Sequence, residues 1–272
     1  MNWIALRVTP ESNRDGVIAA LFESGSQGVQ EDGPTVVTHF PADACIADIR
    51  AAVIEADPYA AITIGEAPDS DYSQWRASVS AHRVGELTVA PPWLSSTYDP
   101  RTTIIIDPVM AFGTGEHPTT RGVMRLMQGV VRRGDVVADL GAGSAVLSIA
   151  AVRLGALRVA AVEVDHDSIS NAEQNVQVNQ VADQVEVIEG DAAVILPLLA
   201  PVRVVFANII SSVLTGLLPI IGSALAVGGQ AILSGMLIDE RETMMAALEV
   251  GGWAVEREDT EDGWWSVQIA PR

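Results

Sequence analysis

The segment from Val136 to Asp165 sets the tightest limit on what this chain can fold into. It runs Val136-Val137-Ala138-Asp139-Leu140-Gly141-Ala142-Gly143-Ser144-Ala145, continues as an apolar helical stretch, and closes with Arg158-Val159-Ala160-Ala161-Val162-Glu163-Val164-Asp165. An apolar, β-branched run that ends at glycines reads as a buried strand turning sharply into a helix. Glycines let the backbone approach a ligand closely, and the first N–H groups of a helix have no partners inside it. Glu163 ends a second strand about 20 residues after the glycines, where a carboxylate can take both hydroxyls of a ribose. The segment reads as a nucleoside-binding βαβ unit.

Spacing narrows the choice of nucleoside. A dinucleotide fingerprint G-x-G-x-x-G would place glycine at 146, where the chain has Val146. The D/E-x-G-x-G-x-G pattern of S-adenosylmethionine-dependent methyltransferases fits at Asp139, Gly141 and Gly143, with Ala145 in the third glycine's place. Alanine is harmless there if position 145 is already helical, and costly only where positive φ is needed. Methyl transfer fits best; a dinucleotide enzyme and a ligand-free Rossmann unit remain open.

Charge restricts the partners. With a formal net charge of -19, extensive contact with nucleic acid is not expected, whereas a basic protein partner would be drawn in. The chain contains no lysine, so no lysine chemistry belongs to the protein itself. Cys45 is the single cysteine, which fits a reducing, cytoplasmic setting without an internal disulfide. The four histidines are scattered, without metal-ligand spacing, so no metal is expected. The start lacks the basic and apolar regions of a signal peptide. No charge occurs between Arg203 and Asp239, yet Asn208, Pro219, Gly228 and Gly229 break that stretch into strand, helix, turn and strand rather than a membrane span.

Taken in order, residues 1–65 read as β-α-β-β-α-β, the split βαβ arrangement of a small ferredoxin-like α+β domain suited to docking a partner. Its first helix is expected to open at Pro10-Glu11. Residues 66–100 read as a linker, opened by Pro68-Asp69 and stiffened by Pro91-Pro92-Trp93, with room for a small hairpin over 79–90. Residues 101–272 form the main α/β domain. There, a loop containing Gly113 and Gly115 leads to Pro118, which suits a first helical turn holding Thr119 and Thr120. Thr120 could touch a ligand, whereas His117 reads as a loop histidine held by hydrogen bonds more readily than as a base. Asp191, closing the third strand, could accept from a base amino group or simply serve a turn. Asn208 ends a buried strand beside the expected ligand crevice, a poor place for a structural asparagine. Two consecutive strands end the chain and must be antiparallel, joined through Glu261-Asp262-Gly263.

The run Asp107-Pro108-x-Met110-Ala111-Phe112-Gly113-Thr114-Gly115-x-His117-x-Thr119-Thr120 closely resembles the signature loop of PrmA, the bacterial methyltransferases of ribosomal protein L11. Asp139-Leu140-Gly141-x-Gly143-Ser144, Ala207-Asn208-Ile209 and Leu233-Ser234-Gly235 resemble that family in order and spacing. The resemblance implies a Rossmann-like class I methyltransferase sheet with an antiparallel final strand. It implies S-adenosyl-L-methionine as cofactor and a basic ribosomal protein as substrate, methylated on amino groups; separately from the resemblance, a monomer is expected. It implies cofactor contacts at Thr120, Gly141, Glu163 and Asn208, and a methyl-transfer end lined by Phe112, Gly113 and Thr114 beside Asn208; Gly143, Asp191 and Gly113 are further expected cofactor contacts. Two rival expectations are an enzyme for another lysine protein or a small amine, and a non-catalytic cofactor-binding module.

Overall fold

Strand-forming and helical runs alternate through most of the chain, and the computed structural model gathers them into two units, residues 1–79 and 80–272. It describes residues 3–26, 29–41, 44–66, 79–107 and 115–272.

In the first unit, β1 (Trp3–Thr9), β2 (Val29–Asp32), β3 (Thr35–Pro41) and β4 (Ala61–Glu66) pair antiparallel in the order β2-β3-β1-β4. Helices α1 (Arg14–Glu23) and α2 (Ile46–Ala56) supply the connections. Leu6, Val8, Val36 and Phe40 of the sheet meet Val17, Leu21, Ile49 and Val53 of the helices in one core, giving the expected ferredoxin-like arrangement.

The first helix starts at Arg14, not at Pro10-Glu11. The cause is Asp57, just past α2. Its buried carboxylate accepts the N–H groups of Glu11 (2.9 Å), Ser12 (2.8 Å) and Asn13 (3.0 Å), which therefore lie outside the helix, and Asn13 caps it. These bonds hold the Asp57 carboxyl well below the usual carboxylate range. A group with a depressed folded pKa stabilises above its unfolded value, and that contribution is lost as pH falls through the folded one. Asp57→Ala should therefore lower the thermal midpoint of the full chain at neutral pH, with the gap to the parent closing in strong acid. An unchanged midpoint at neutral pH would contradict this role.

The second unit opens with a small sheet. β5 (His82–Val84) and β6 (Leu87–Ala90) form the expected hairpin, and β7 (Thr103–Ile105) runs parallel to β6. The segment expected to be a linker is therefore divided. Residues 67–78, with Trp75, lie outside the described residues, whereas 80–100 are built into the second unit, where Leu87, Val89 and Ile104 are buried.

The main sheet comprises β8 (Val136–Leu140), β9 (Arg158–Glu163), β10 (Val185–Glu189), β11 (Val202–Asn208), β12 (Leu225–Leu237), β13 (Trp253–Glu261) and β14 (Trp264–Pro271). Its order is β10-β9-β8-β11-β12-β14-β13, and β14 runs antiparallel to both of its neighbours. Helices α3 (Pro118–Met127), α4 (Val146–Arg153) and α5 (His166–Val178) pack with Val137, Val204, Phe206 and Ile232 on one face. Helices α6 (Ala192–Leu199), α7 (Ser211–Ala224) and α8 (Arg241–Val250) pack with Ala138, Leu140, Val205 and Leu233 on the other. Alternation along each strand makes this two-faced burial possible.

The crossover helix α6 has no sequence expectation behind it. Its eight residues are all apolar and include Pro197, so they show no helical period, and the parallel step from β10 to β11 demands it instead. The charge-free stretch resolves into β11, α7 and β12, and among the described residues no helix is long and apolar enough to cross a membrane. Left-handed Asp262 and Gly263 close the last hairpin where the turn is expected. Strand order reverses between β8 and β11, which opens a crevice at the carboxyl ends of those strands.

Candidate active site

The crevice begins where β8 ends. Gly141 and Gly143 have φ of 72° and 52°, and the N–H groups of Gly141 and Ala142 donate to the carbonyl of Val162, binding the turn to β9. A Cβ at Gly141 would run into the side chain of Ile209, so both conformation and space call for glycine.

Ala145 departs from the sequence expectation. It is not yet helical: it caps α4 with φ 62° and ψ 19°, fully buried. The chain needs a third left-handed residue to swing from the strand into α4, and alanine accepts that conformation under strain. Left-handed geometry costs an L-residue about 1–2 kcal/mol. Ala145→Gly should therefore stabilise the chain by roughly 0.5–1 kcal/mol, since relief of strain outweighs the added freedom of the unfolded chain. Urea unfolding measures this, and a destabilised variant would show that Cβ packing matters more than strain.

Two carboxylates face the glycine turn. Glu163, buried at the end of β9, accepts from the N–H of Gly143 (2.8 Å) through one oxygen and from the N–H groups of Val164 (2.8 Å) and Asp165 (2.9 Å) through the other. It thus fixes the turn while standing at the crevice. Asp139 is fully buried on β8. One oxygen accepts from Ser148 Oγ at 2.7 Å, and the other has no hydrogen-bond partner among the described residues. Burial, aided by the nearby Glu163, pushes its pKa up to about 6 despite the Ser148 hydrogen bond. A buried carboxylate with one orphaned oxygen is a site for a cation or donor.

Across the crevice, α3 begins at Pro118 as expected. His117 caps it, its Nδ1 lying 2.8 Å from Thr119 Oγ1 and accepting the Thr119 N–H, so the histidine is held in place. Burial and the adjacent Arg121 cation push the His117 pKa down. Thr120 is buried, and its Oγ1 lies 3.5 Å from Asn208 Nδ2 at the end of β11. The two residues picked out separately in the sequence are thereby brought together. Asn208 pairs with Ser234 on β12, whose hydroxyl meets Ser266 Oγ at 2.7 Å and the Thr119 carbonyl at 3.3 Å. Gly235, with φ 85°, leaves room for the backbone of Ile209, which a Cβ would strike.

Asp191 stands at the carboxyl end of β10 and caps α6, its Oδ1 accepting the Ala193 N–H at 2.8 Å. Phe112, Gly113 and Thr114 lie outside the described residues. The sequence reading did not single out the serine row at 234 and 266 or the orphaned oxygen of Asp139. The available signal was alternation: Asp139, Asn208, Ser234 and Ser266 all face α3 and α4, opposite the apolar residues beside them.

Comparison with known proteins identifies the family. The family model described as ribosomal protein L11 methyltransferase (PrmA) matches residues 18–271. A ribosomal protein L11 methyltransferase of Synechococcus sp. (strain RCC307) is 36% identical over 211 residues, covering 75% of this chain and 70% of that protein. One from Heliobacterium modesticaldum is 30% identical over 314 residues, covering 100% of this chain and 98% of its own length. Among solved structures, the ribosomal protein L11 methylase of Lactobacillus delbrueckii subsp. bulgaricus matches with a TM-score of 0.63 at 26% identity, over 71% of this chain and all of that one. The fold, the crevice and these matches together make the chain a member of the ribosomal protein L11 methyltransferase family.

Proposed function

We propose that this chain transfers methyl groups from S-adenosylmethionine to amino groups of ribosomal protein L11. The observation that carries the reading is the meeting of Thr120 and Asn208 across the crevice from the left-handed Gly141–Ala145 turn. The residues present fit the cofactor: the orphaned oxygen of buried Asp139 suits an ammonium, and Glu163 stands where ribose hydroxyls would lie. Gly141, Gly143 and Thr120 would complete the binding surface, and Asp191 its far rim. Phe112, Gly113 and Thr114 are assigned to the methyl-transfer end on family resemblance alone.

The bound cofactor supplies a methyl group on sulfonium, open to in-line displacement. The protein's task is then alignment. Asn208 turns its Nδ2 toward Thr120, which leaves Oδ1 to accept from the acceptor amine and aim its lone pair. A lysine acceptor, with an ordinary pKa of about 10.4, must first shed a proton, and a poorly hydrated surround favours the neutral amine.

A net charge of -19 speeds encounter with a basic protein. A ribosomal protein substrate supports a monomeric enzyme acting in the cytoplasm as part of this reading. Incubation with purified L11 and cofactor tests it: mass shifts in steps of one methyl are expected. Unmodified L11, with another protein or a small amine methylated instead, would refute it.

A further inference from the structure

The β13–β14 hairpin turns at the same edge of the sheet as the crevice, because β14 runs against β12 while α3 begins at that edge. On β14, Trp265, Val267 and Ile269 enter the core under α7 and α8, so Trp264 and Ser266 face α3. Ser266 joins Ser234, which pairs with Asn208, and Trp264 stands above that polar row. The Trp264 ring meets His117 edge-on, with centroids 4.8 Å apart and planes at 68°, and both residues remain partly exposed. The same His117 caps the helix that delivers Thr120 to Asn208.

An ionic network fixes this wall. Arg121 holds Glu261 at 2.6 Å and approaches Asp262 at 3.7 Å, and Arg125 holds Asp259 at 2.5 Å and Glu261 at 2.7 Å. Arg121 also donates to the carbonyl of Glu116, whose carboxylate meets His82 at 3.1 Å. Among the described residues of this network, the carboxylates of Glu116, Asp259, Glu261 and Asp262 outnumber the guanidinium groups of Arg121 and Arg125, which leaves negative charge in excess. An indole face in a net-negative setting attracts a cation carried on an apolar stem.

We infer that Trp264, steadied by His117 and the Arg121–Glu261 bridge, is a specificity-determining wall along which the acceptor lysine side chain reaches Asn208. The inference rests on the proposed function and adds the residue that selects the acceptor. It predicts a split between acceptor and cofactor binding. Trp264→Leu should raise the KM for L11 by about tenfold while cofactor Kd stays within about twofold of the parent, and Trp264→Phe should cost less. Asp262→Asn, at the exposed hairpin tip, should raise the acceptor KM slightly and leave cofactor affinity alone. Steady-state methylation of L11, calorimetric titration with cofactor and thermal melts give the three readouts. Unchanged acceptor KM in the Trp264 variants would overturn the inference, as would a parallel rise in cofactor Kd. Should Trp264→Leu fail to fold, Trp264→Phe and Asp262→Asn decide by the same criteria. A parent chain that leaves L11 unmodified refutes the proposed function and this inference with it. A parent that methylates L11 beside indifferent Trp264 variants refutes the inference alone.

Discussion

Replacing Asn208 with alanine should slow methyl transfer about a hundredfold and leave cofactor affinity within a few-fold of the parent. The reason is positional. Asn208 ends β11, locked between β8 and β12, with Gly235 admitting the Ile209 backbone beside it. Its amide is fixed against Thr120 rather than against the glycine turn, so its loss would disturb acceptor alignment more than cofactor binding. Single-turnover rates on saturated enzyme, read beside calorimetric affinities, separate the two effects. Full activity in Asn208→Ala would remove the residue from the reaction.

The second large effect concerns Glu163. Its carboxylate accepts the N–H of Gly143, Val164 and Asp165 while facing the crevice, so truncation to alanine strips the turn of its anchor and the ribose of its acceptor together. Hydrogen bonds to a charged group are each worth about 1.5–3 kcal/mol, so Glu163→Ala should weaken cofactor binding by about a hundredfold or more. Glu163→Asp discriminates further. The shorter side chain keeps the charge but falls back from Gly143, and an intermediate loss is expected. Equal affinities for the parent and Glu163→Ala would mean that the ribose binds elsewhere.

Much of this was legible in the chain because strands and turns write their signals locally. The βαβ unit, the ferredoxin-like order and the final hairpin follow from apolar runs punctuated by glycine and proline. Thr120 and Asn208 could be singled out from their places at a helix start and a strand end, although only the fold brings them within 3.5 Å. What escaped depended on tertiary context. Helix α6 has no period to detect because both its sides are apolar. Helix α1 begins late because Asp57, distant in sequence, takes the N–H groups that would have opened it. The left-handed backbone at Ala145 could not be read from an alanine, since residue type signals positive φ only through glycine or asparagine. Residues 80–100, the later part of the expected linker, join the second unit, where β6 finds β7 as a parallel partner, a pairing with no local signature.

One claim underlies the rest: an adenosyl sulfonium lies at the carboxyl edge between β8 and β11, its ribose at Glu163 and its reactive end at Asn208. A crystal structure of the chain with S-adenosylhomocysteine, the demethylated cofactor, tests it most directly. The expected result is ribose hydroxyls within hydrogen-bond distance of the Glu163 carboxylate, the ammonium at Asp139 and the sulfur beside Asn208. A ligand bound away from the Gly141–Ala145 turn, or a crevice that stays empty at saturating ligand, would contradict the account.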